Sequence, residues 1–398
     1  MNSENDDLNK DRGGTETVNK VEIHGHCDDK FAAVKKAYAS NFEAGSELGA
    51  AFAATVDGKP VVDIWSGYAD AAETKPWERD TIVCVFSITK VMTNICALIL
   101  IDRGLLDPDA PVAKYWPEFA QSGKGDVLVR HVLSHTAGLP AWDMLDKMET
   151  AYDWNKCVAL LASQKTWWEP GKDWGYHAST QGYLVGEIVR RITGKSLGIF
   201  FRDEVAVPLN ADFYIGLPKS QDKRVGEMIP PPEFKPGEPG YVAPGSLLYR
   251  AMGFPVFSVS VTKTRAWRAA EIPAANGYGN ARSIARITAA VACGGELDGV
   301  KLFGLPTLKK ALEEQYYGSS PDFFGIPTIR FGLGFALNCK ELPVGPNFRV
   351  LWWGGYGGSV AVMDMDAKLS YSYVMNKMGA LPNPRIVPMI GALYTSLR

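Results

Sequence analysis

Strand-like segments occupy both ends of this 398-residue sequence, and segments with helical spacing fill its middle. Residues 48–70 contain two apolar runs around Asp57-Gly58, a dipeptide typical of a tight hairpin turn. Strand-like runs return at 331–338, 351–366 and 369–376. Because strands must bury a common face, this order favours a sheet built from both ends of the chain, with a helical domain inserted between them.

We predict an α/β fold of the α+β type. Residues 28–106 and 278–398 form a domain with a mainly antiparallel sheet flanked by helices, and residues 107–277 form a helical domain. The first residues are polar and lack the apolar core of a secretory signal, so we expect a mobile tail over 1–27 and a cytoplasmic location. The Pro/Gly-rich stretch 229–245 is long enough to be a lid over a cleft or an ordered edge.

Composition excludes several classes of function. The formal net charge is −2 and no basic cluster is evident, so nucleic acid is not an expected partner. The longest apolar run, Ile95–Ile101, is too short to span a bilayer. Six scattered cysteines without a CxxC pair indicate free thiols. We expect a small-molecule substrate, no cofactor and no metal, and the sequence does not indicate an oligomeric state.

Ser87 and Lys90 open the most apolar helix of the sequence, and residues three apart share a helix face. A serine is a poor nucleophile until a base takes its proton. Partial burial at a helix N-terminus lowers the pKa of a lysine, and a neutral lysine can be that base. The alternative is an ordinary surface lysine in a first helical turn.

Other serine motifs are weaker. SxxK patterns also begin at Ser220 and Ser260, with Lys223 and Lys263, but neither opens a long apolar helix. A GxSxG is centred on Ser196, and that motif requires a strand before the serine. The preceding segment has helical spacing, so we reject Ser196 as the nucleophile.

The histidines offer no evident metal site. His131 and His135 are four residues apart on a predicted helix, a spacing that could bind a metal, but no third ligand is evident. Packing or a helix-end hydrogen bond is the better interpretation. The HGHC run at 24–27 lies in the predicted tail, and we attribute it to chance.

Two further segments could complete a site. Tyr176 follows a Gly-rich turn just before a helix, where a phenol could relay protons if nearby cations lower its pKa. Four glycines interrupt the strand pattern of 352–364, which marks a bulge, a tight hairpin or a close approach of ligand or backbone.

Together these segments resemble the penicillin-binding-protein and class C β-lactamase superfamily, and more narrowly its family VIII carboxylesterases. The resemblance runs from about residue 30 to the C-terminus. It depends on SITK, GYHASTQGYLVGEIVRRITGKSLGIFF and WGGYGGS, with support from LVRHVLSHTAGLP, AANGYGNARSIARI and YSYVMNKM. It implies a β-lactamase/transpeptidase-like fold and a serine hydrolase of the SxxK type.

The resemblance also implies roles for individual residues. Ser87 matches the acylated serine, Lys90 its lysine partner and Tyr176 the tyrosine of the second motif. The implied activity is a serine carboxylesterase that hydrolyses short-chain or aryl esters through a Ser87 acyl-enzyme. Either Lys90 or Tyr176 is the general base.

The third motif of the family falls on Trp353, Gly354 and Gly355, which the resemblance implies to be substrate-binding. By position, the backbone N–H groups of Ser87 and Tyr356 would form the oxyanion hole.

Two departures from the β-lactamase pattern point towards uncharged esters. Ala178 stands where β-lactamases have asparagine, and Trp353 stands where they have lysine. His177 supports the tyrosine indirectly at most. The open alternatives are a β-lactamase or D-amino-acid peptidase with low esterase activity, an acyltransferase using the same acyl-enzyme, and a non-catalytic binding protein.

Overall fold

The structure, a computed structural model, describes residues 21–143, 147–238, 240–253, 257–319, 326, 328–380 and 383–398. Its strands are β1 His24–Cys27, β2 Gly49–Val56, β3 Lys59–Gly67, β4 Val83–Cys84, β5 Phe213–Tyr214, β6 Tyr278–Gly279, β7 Glu296–Leu297, β8 Val300–Lys301, β9 Tyr316–Ser319, β10 Thr328–Phe331, β11 Ala336–Leu337, β12 Val350–Gly354, β13 Val360–Asp364 and β14 Leu369–Met375. Its α-helices are α1 Ala32–Glu43, α2 Thr89–Asp102, α3 Val129–Leu133, α4 Trp154–Ser163, α5 Thr180–Thr193, α6 Leu197–Phe201, α7 Leu247–Ala251, α8 Arg265–Ala269, α9 Ala281–Ala292, α10 Leu305–Leu312 and α11 Val387–Leu397.

A nine-stranded antiparallel sheet takes its strands from both ends of the chain, as predicted. Its order is β1-β3-β2-β14-β13-β12-β11-β10-β9, so β2 pairs with β14 at the join. The predicted hairpin between β2 and β3 is confirmed, and its turn residues Asp57 and Gly58 both adopt positive φ. Such a turn matches the twist of the two strands.

Helices cover the sheet and bury it. Helix α9 packs on β14, β2 and β13, and the Ser370 hydroxyl donates to the carbonyl oxygen of Ala285 in that helix. Tyr371, the next residue, points to the opposite face because successive strand side chains alternate, and its ring stacks on Phe52. The sheet is therefore buried on both faces, which explains why β14 is apolar or hydrogen-bonded throughout.

The prediction of a mobile tail over 1–27 is wrong for its last four residues. Residues 24–27 form β1, which pairs with Val62–Trp65 of β3 along the sheet edge, and residues 1–20 lie outside the described residues. The segment shows no apolar alternation because an edge strand is held by backbone hydrogen bonds and leaves its side chains in solvent. The HGHC run therefore belongs to this strand.

The middle of the chain carries α3 to α8 and the short strand β5, joined by long loops. The helical pattern around residue 130 is realised only as α3. In 229–245 the structure places no helix or strand at the described positions, and the segment begins with the Ile229 N–H donating to the Asn376 carbonyl oxygen. The division into domains at residues 106 and 277 stays a prediction.

None of the described helices combines the length and the apolar character that crossing a bilayer requires.

Candidate active site

Ser87 is presented by a strained turn at the head of α2. The preceding strand β4 pairs with β6, and the Val85 N–H donates to the Gly277 carbonyl oxygen at 2.9 Å. Phe86 then adopts a φ of +46°, and Ser87 lies in the 3₁₀ turn Phe86–Ile88. A bulky residue at positive φ persists only where its surroundings fix it. Strand pairing on one side and α2 on the other supply that constraint.

Lys90 is buried one turn further along α2 and is 1% exposed. Its amine lies 2.6 Å from the Ala178 carbonyl oxygen, 2.8 Å from the Ala274 carbonyl oxygen and 3.3 Å from the Ser87 Oγ. Burial holds its pKa well below the usual range of a lysine, and no carboxylate among the described residues offsets that effect. The opening of the apolar helix therefore carries an amine in surroundings that favour its neutral form.

Tyr176 also contacts Ser87. Its hydroxyl donates to the Ser87 Oγ at 2.6 Å, and its ring lies 4.8 Å from the Lys90 amine. Burial raises the pKa of this phenol, whereas hydrogen bonds with Ser87 and Trp353 act in the opposite direction. Tyr176 is therefore a neutral phenol, and the condition named from the sequence, a pKa lowered by nearby cations, is not met.

For a neutral Lys90, the hydrogen bonds around its amine determine the direction of the Ser87 proton. A neutral amine has two N–H donors, and the carbonyl oxygens of Ala178 and Ala274 accept both. Its lone pair then faces the Ser87 Oγ, which already accepts from Tyr176. The serine hydroxyl accordingly donates to Lys90, which is the arrangement of a nucleophile beside its base.

The turn 354–359, which joins β12 to β13, passes directly beside this centre. A Cβ on Gly355 would lie 2.3 Å from the Val85 carbonyl oxygen, so only glycine permits this approach. The next residue is Tyr356, whose ring packs edge-on against Phe86 at 5.7 Å. The glycine-rich run therefore brings a backbone segment against the turn that presents Ser87. The sequence had left a bulge, a tight hairpin and such a close approach open as explanations of these glycines.

Trp353 and Tyr176 belong to an aromatic cluster around a buried histidine. The centroids of Trp353 and Tyr176 are 5.5 Å apart, and the His135 ring lies 6.0 Å from Trp353 and 5.2 Å from Tyr176. Burial lowers the pKa of His135, and its Nδ1 accepts from the His177 N–H. His177 in turn bonds the Gly175 carbonyl oxygen and the Leu139 N–H, so both histidines are neutral packing groups.

Two cavities meet at Ser87. The smaller has about 40 Å³ and lies towards the helical middle of the chain, with Ala178, Tyr183 and Met148 in its wall. The larger has about 330 Å³ and lies between β12 and α11, with Tyr176 and Trp353 in its wall. Ser87 and Tyr356 line both, and the described residues of the two linings carry no charged side chain.

The remaining serine motifs lie elsewhere and have structural explanations. The Ser196 Oγ accepts from the Ile199 N–H as the N-cap of α6 and donates to Glu271 at 2.7 Å. Ser220 and Ser260 lie in short 3₁₀ turns, and Lys263 pairs with Glu227.

The His131 Nδ1 accepts a hydrogen bond from the Leu128 N–H at the start of α3, as the helix-end interpretation predicted. In the part of the chain that the structure describes, no group of three or more His, Cys, Asp or Glu side chains is placed to hold a metal ion.

Sequence reasoning missed the backbone segment that holds Lys90. The Ala274 carbonyl oxygen accepts from Lys90, and the Pro273 carbonyl oxygen accepts from Thr93. Gly182 of α5 permits this approach, since a Cβ there would lie 2.4 Å from the Ala274 nitrogen. A carbonyl group has no side-chain signature, and the only signal was the AANGYG stretch that begins at Ala274.

Comparisons with known proteins match this geometry to one family. Residues 36–393 match the family model described as beta-lactamase. The chain is 35% identical over 373 residues to the esterase/beta-lactamase LipL of Mycobacterium tuberculosis, covering 89% of this chain and 83% of that protein.

Two solved structures share the fold. A family VIII carboxylesterase is 41% identical, with a TM-score of 0.87 over 94% of this chain and all of that one. A penicillin-binding protein homologue from Caulobacter crescentus is 38% identical, with a TM-score of 0.88 over the same shares. The β-lactamase/transpeptidase-like fold is thereby confirmed, and this chain belongs to the beta-lactamase family.

Proposed function

We propose that the protein is a serine carboxylic ester hydrolase that forms an acyl-enzyme on Ser87. The observation that carries this is the convergence of the Tyr176 hydroxyl and the buried Lys90 amine on one serine oxygen, at 2.6 and 3.3 Å. Sequence relatives and structural neighbours described as esterases support the same activity.

The opposite pKa shifts of Lys90 and Tyr176 support an order of proton transfers in acylation. Lys90, with its lowered pKa, accepts the Ser87 proton while the Ser87 Oγ bonds to the ester carbonyl carbon. The carbonyl π electrons move to the oxygen, and the backbone N–H groups of Ser87 and Tyr356 stabilise the resulting oxyanion. When the tetrahedral intermediate collapses, the C–O bond to the alcohol breaks. Tyr176 protonates the departing alkoxide and regains a proton from Lys90.

Deacylation reverses these transfers with water in place of the alcohol. Water loses a proton to the Tyr176–Lys90 pair as its oxygen bonds to the acyl carbon. The carboxylic acid then departs, and the Ser87 oxygen recovers its proton. Because Tyr176 and Lys90 both lie within hydrogen-bond distance of the same oxygen, the pair acts as one coupled acid–base unit.

The two cavities support separate binding places for the alcohol part and the acyl part of the ester. The departing alcohol oxygen must lie beside its proton donor, and Tyr176 lines only the larger cavity. The alcohol therefore occupies the cavity of about 330 Å³, and the acyl chain the pocket of about 40 Å³. If one water-sized group needs about 10–15 Å³, the acyl pocket holds about three such groups. The substrates are short acyl esters of bulky apolar or aryl alcohols.

Uncharged esters suit this site better than anionic β-lactams. Trp353 supplies an apolar face where β-lactamases have a lysine, and the described lining of both cavities is uncharged. Burying a substrate carboxylate there without a partner would be costly.

The test combines turnover with covalent labelling. Wild type and Ser87→Ala are assayed with 4-nitrophenyl acetate, with Ser196→Ala as the matched serine control, and a serine-reactive phosphonate adduct is mapped by peptide mass spectrometry. We expect a loss of more than 10³-fold in Ser87→Ala only, with the phosphonate on Ser87. An active Ser87→Ala enzyme would overturn the proposal. A lasting cephalosporin adduct on Ser87 would instead favour a penicillin-binding function.

A further inference from the structure

The turn 354–359 is held from outside at two successive carbonyl groups. Gly357 and Gly358, which follow Tyr356, adopt φ values of +93° and +115°. The Gly357 carbonyl oxygen accepts from the Arg385 guanidinium at 3.1 Å and from the Gly379 N–H at 2.9 Å. The Gly358 carbonyl oxygen accepts from the Asn383 side chain at 2.9 Å. These bonds fix the peptide between Gly357 and Gly358, whose N–H donates to the Gly355 carbonyl oxygen at 3.0 Å, in the same peptide as the Tyr356 N–H.

Arg385 is the central residue of this arrangement. It lies just before α11, and it is buried, with 8% of its surface exposed. Besides Gly357, its guanidinium donates to the Glu47 carboxylate at 3.0 Å, the Lys377 carbonyl oxygen at 2.9 Å and the Asn383 Oδ1 at 2.9 Å. A planar guanidinium with five N–H donors can bind all these acceptors at once, and a lysine cannot.

Glu47 supplies the counter-charge and is itself buried, just before β2. The Tyr373 hydroxyl donates to its carboxylate, and Tyr38 and Lys377 are the other titratable groups that act on this cluster. Burial raises the pKa of Glu47 to about 7, and the charge of Arg385 opposes that rise. A buried ion pair is often no more stabilising than apolar packing, so this placement calls for a reason other than stability.

We propose that Arg385, held in place by Glu47 and Asn383, is a positioning residue that fixes the backbone N–H of Tyr356 as an oxyanion donor. The inference rests on the proposed acyl-enzyme function, since Tyr356 has a donor role only if an oxyanion forms. Oxyanion donors act on the transition state and little on the bound ester, so displacement of the turn lowers kcat and leaves KM nearly unchanged.

Two variants and one control test the role. Glu47→Gln removes the counter-charge, and Arg385→Lys keeps a cation beside Glu47 but cannot reach all the acceptors that the guanidinium binds. Asp63→Asn is the control. Asp63 pairs with Arg282 of α9 and lies on β3, which is on the far side of β2 and β14 from the turn. With 4-nitrophenyl acetate we expect kcat to fall about 10- to 100-fold in both test variants, with KM within threefold of wild type. The control should stay within twofold in kcat.

Hydrogen–deuterium exchange of the peptide that covers 354–359 provides a readout independent of turnover. We expect at least tenfold faster exchange in Glu47→Gln and Arg385→Lys than in wild type and Asp63→Asn. If Arg385→Lys is folded and retains both wild-type kcat and wild-type exchange, the positioning role is refuted. A wild-type protein without ester turnover would refute the proposed function, while the exchange data would still decide whether Arg385 holds the turn.

Discussion

The Lys90 amine donates to the Ala178 carbonyl oxygen at 2.6 Å, so the segment that carries Tyr176 also holds the base. One backbone carbonyl thereby couples the first and second motifs of the site. Together with the Ala274 carbonyl oxygen, it leaves a neutral Lys90 with a lone pair directed at Ser87. The orientation of the base is set by backbone groups that no side-chain substitution removes.

Replacement of Lys90 should abolish turnover whether or not the positive charge is kept. Lys90→Arg retains a cation that cannot be deprotonated in a protein, and Lys90→Met retains only the chain length. We expect kcat/KM for 4-nitrophenyl acetate to fall by at least 10³-fold in both variants. Measurable burst acylation in Lys90→Arg at the wild-type rate would contradict Lys90 as the base.

Tyr176→Phe should separate proton transfer from packing. The variant keeps the ring against Trp353 and His135 but loses the hydroxyl that donates to Ser87. We expect kcat to fall about 10²- to 10⁴-fold, as for other acid–base groups, with the melting temperature close to that of wild type. Esters with good leaving groups such as 4-nitrophenol should be less affected than alkyl esters, because they need less protonation. Equal losses for both classes would argue against Tyr176 as the proton donor.

Gly355→Ala should displace the turn 354–359. Its Cβ would lie 2.3 Å from both the Val85 carbonyl oxygen and the Ser359 Oγ, and the backbone must move to relieve that contact. We expect at least a 100-fold loss of kcat and a lower melting temperature. Gly354→Ala is the matched variant for stability, since its nearest neighbour is at 3.6 Å. A Gly355→Ala protein with wild-type kcat would show that the close approach has no catalytic role.

The acyl pocket should widen when Met148 is truncated. Met148 is half-buried in the wall of the smaller cavity, and Met148→Ala removes three heavy atoms from it. We expect the ratio of hexanoate to acetate kcat/KM to rise about tenfold. Leu342→Ala, in the larger cavity, is the counterpart and should change preference among alcohols only. The reverse pattern would assign the acyl chain to the larger cavity.

Glu47 should make stability depend on pH. Its folded pKa of about 7 lies above the ordinary value of 4.5, so between these values the folded state binds more protons than the unfolded state. Stability therefore falls as pH rises from about 4.5 to about 7. In Glu47→Gln this contribution disappears, and the melting temperature should decline less over the same range than in wild type. Thermal unfolding at pH 5 and pH 7.5 is the measurement, and parallel curves would contradict the assignment.

Local sequence patterns predicted much of the fold and of the site. The Asp57-Gly58 turn, the α2 helix behind Ser87 and the strands β12 to β14 follow from short-range periodicity and turn chemistry, which a sequence displays directly. The structure also brings Ser87, Lys90 and Tyr176 together, although their roles remain proposals.

Features that depend on pairing over distance were not predictable. The β1 edge strand is held by backbone bonds to β3, and the Glu47–Arg385 pair joins residues 338 positions apart. The Ala274 carbonyl oxygen belongs to a group that every residue has, so no side chain in the sequence marks its place beside Lys90. Burial raises the pKa of Tyr176, whereas the sequence had made its proton-relay role conditional on a pKa lowered by nearby cations.

The pairing of β2 with β14 also determines when this protein can fold. One edge of Gly49–Val56 pairs with β3 in the hairpin, but its other edge pairs with Leu369–Met375, so that edge leaves the ribosome long before its partner strand. Contacts between such distant segments slow folding, and an uncovered strand edge invites pairing with other chains. Synthesis should therefore be the stage at which this enzyme most needs chaperones, and refolding yield should fall steeply with protein concentration.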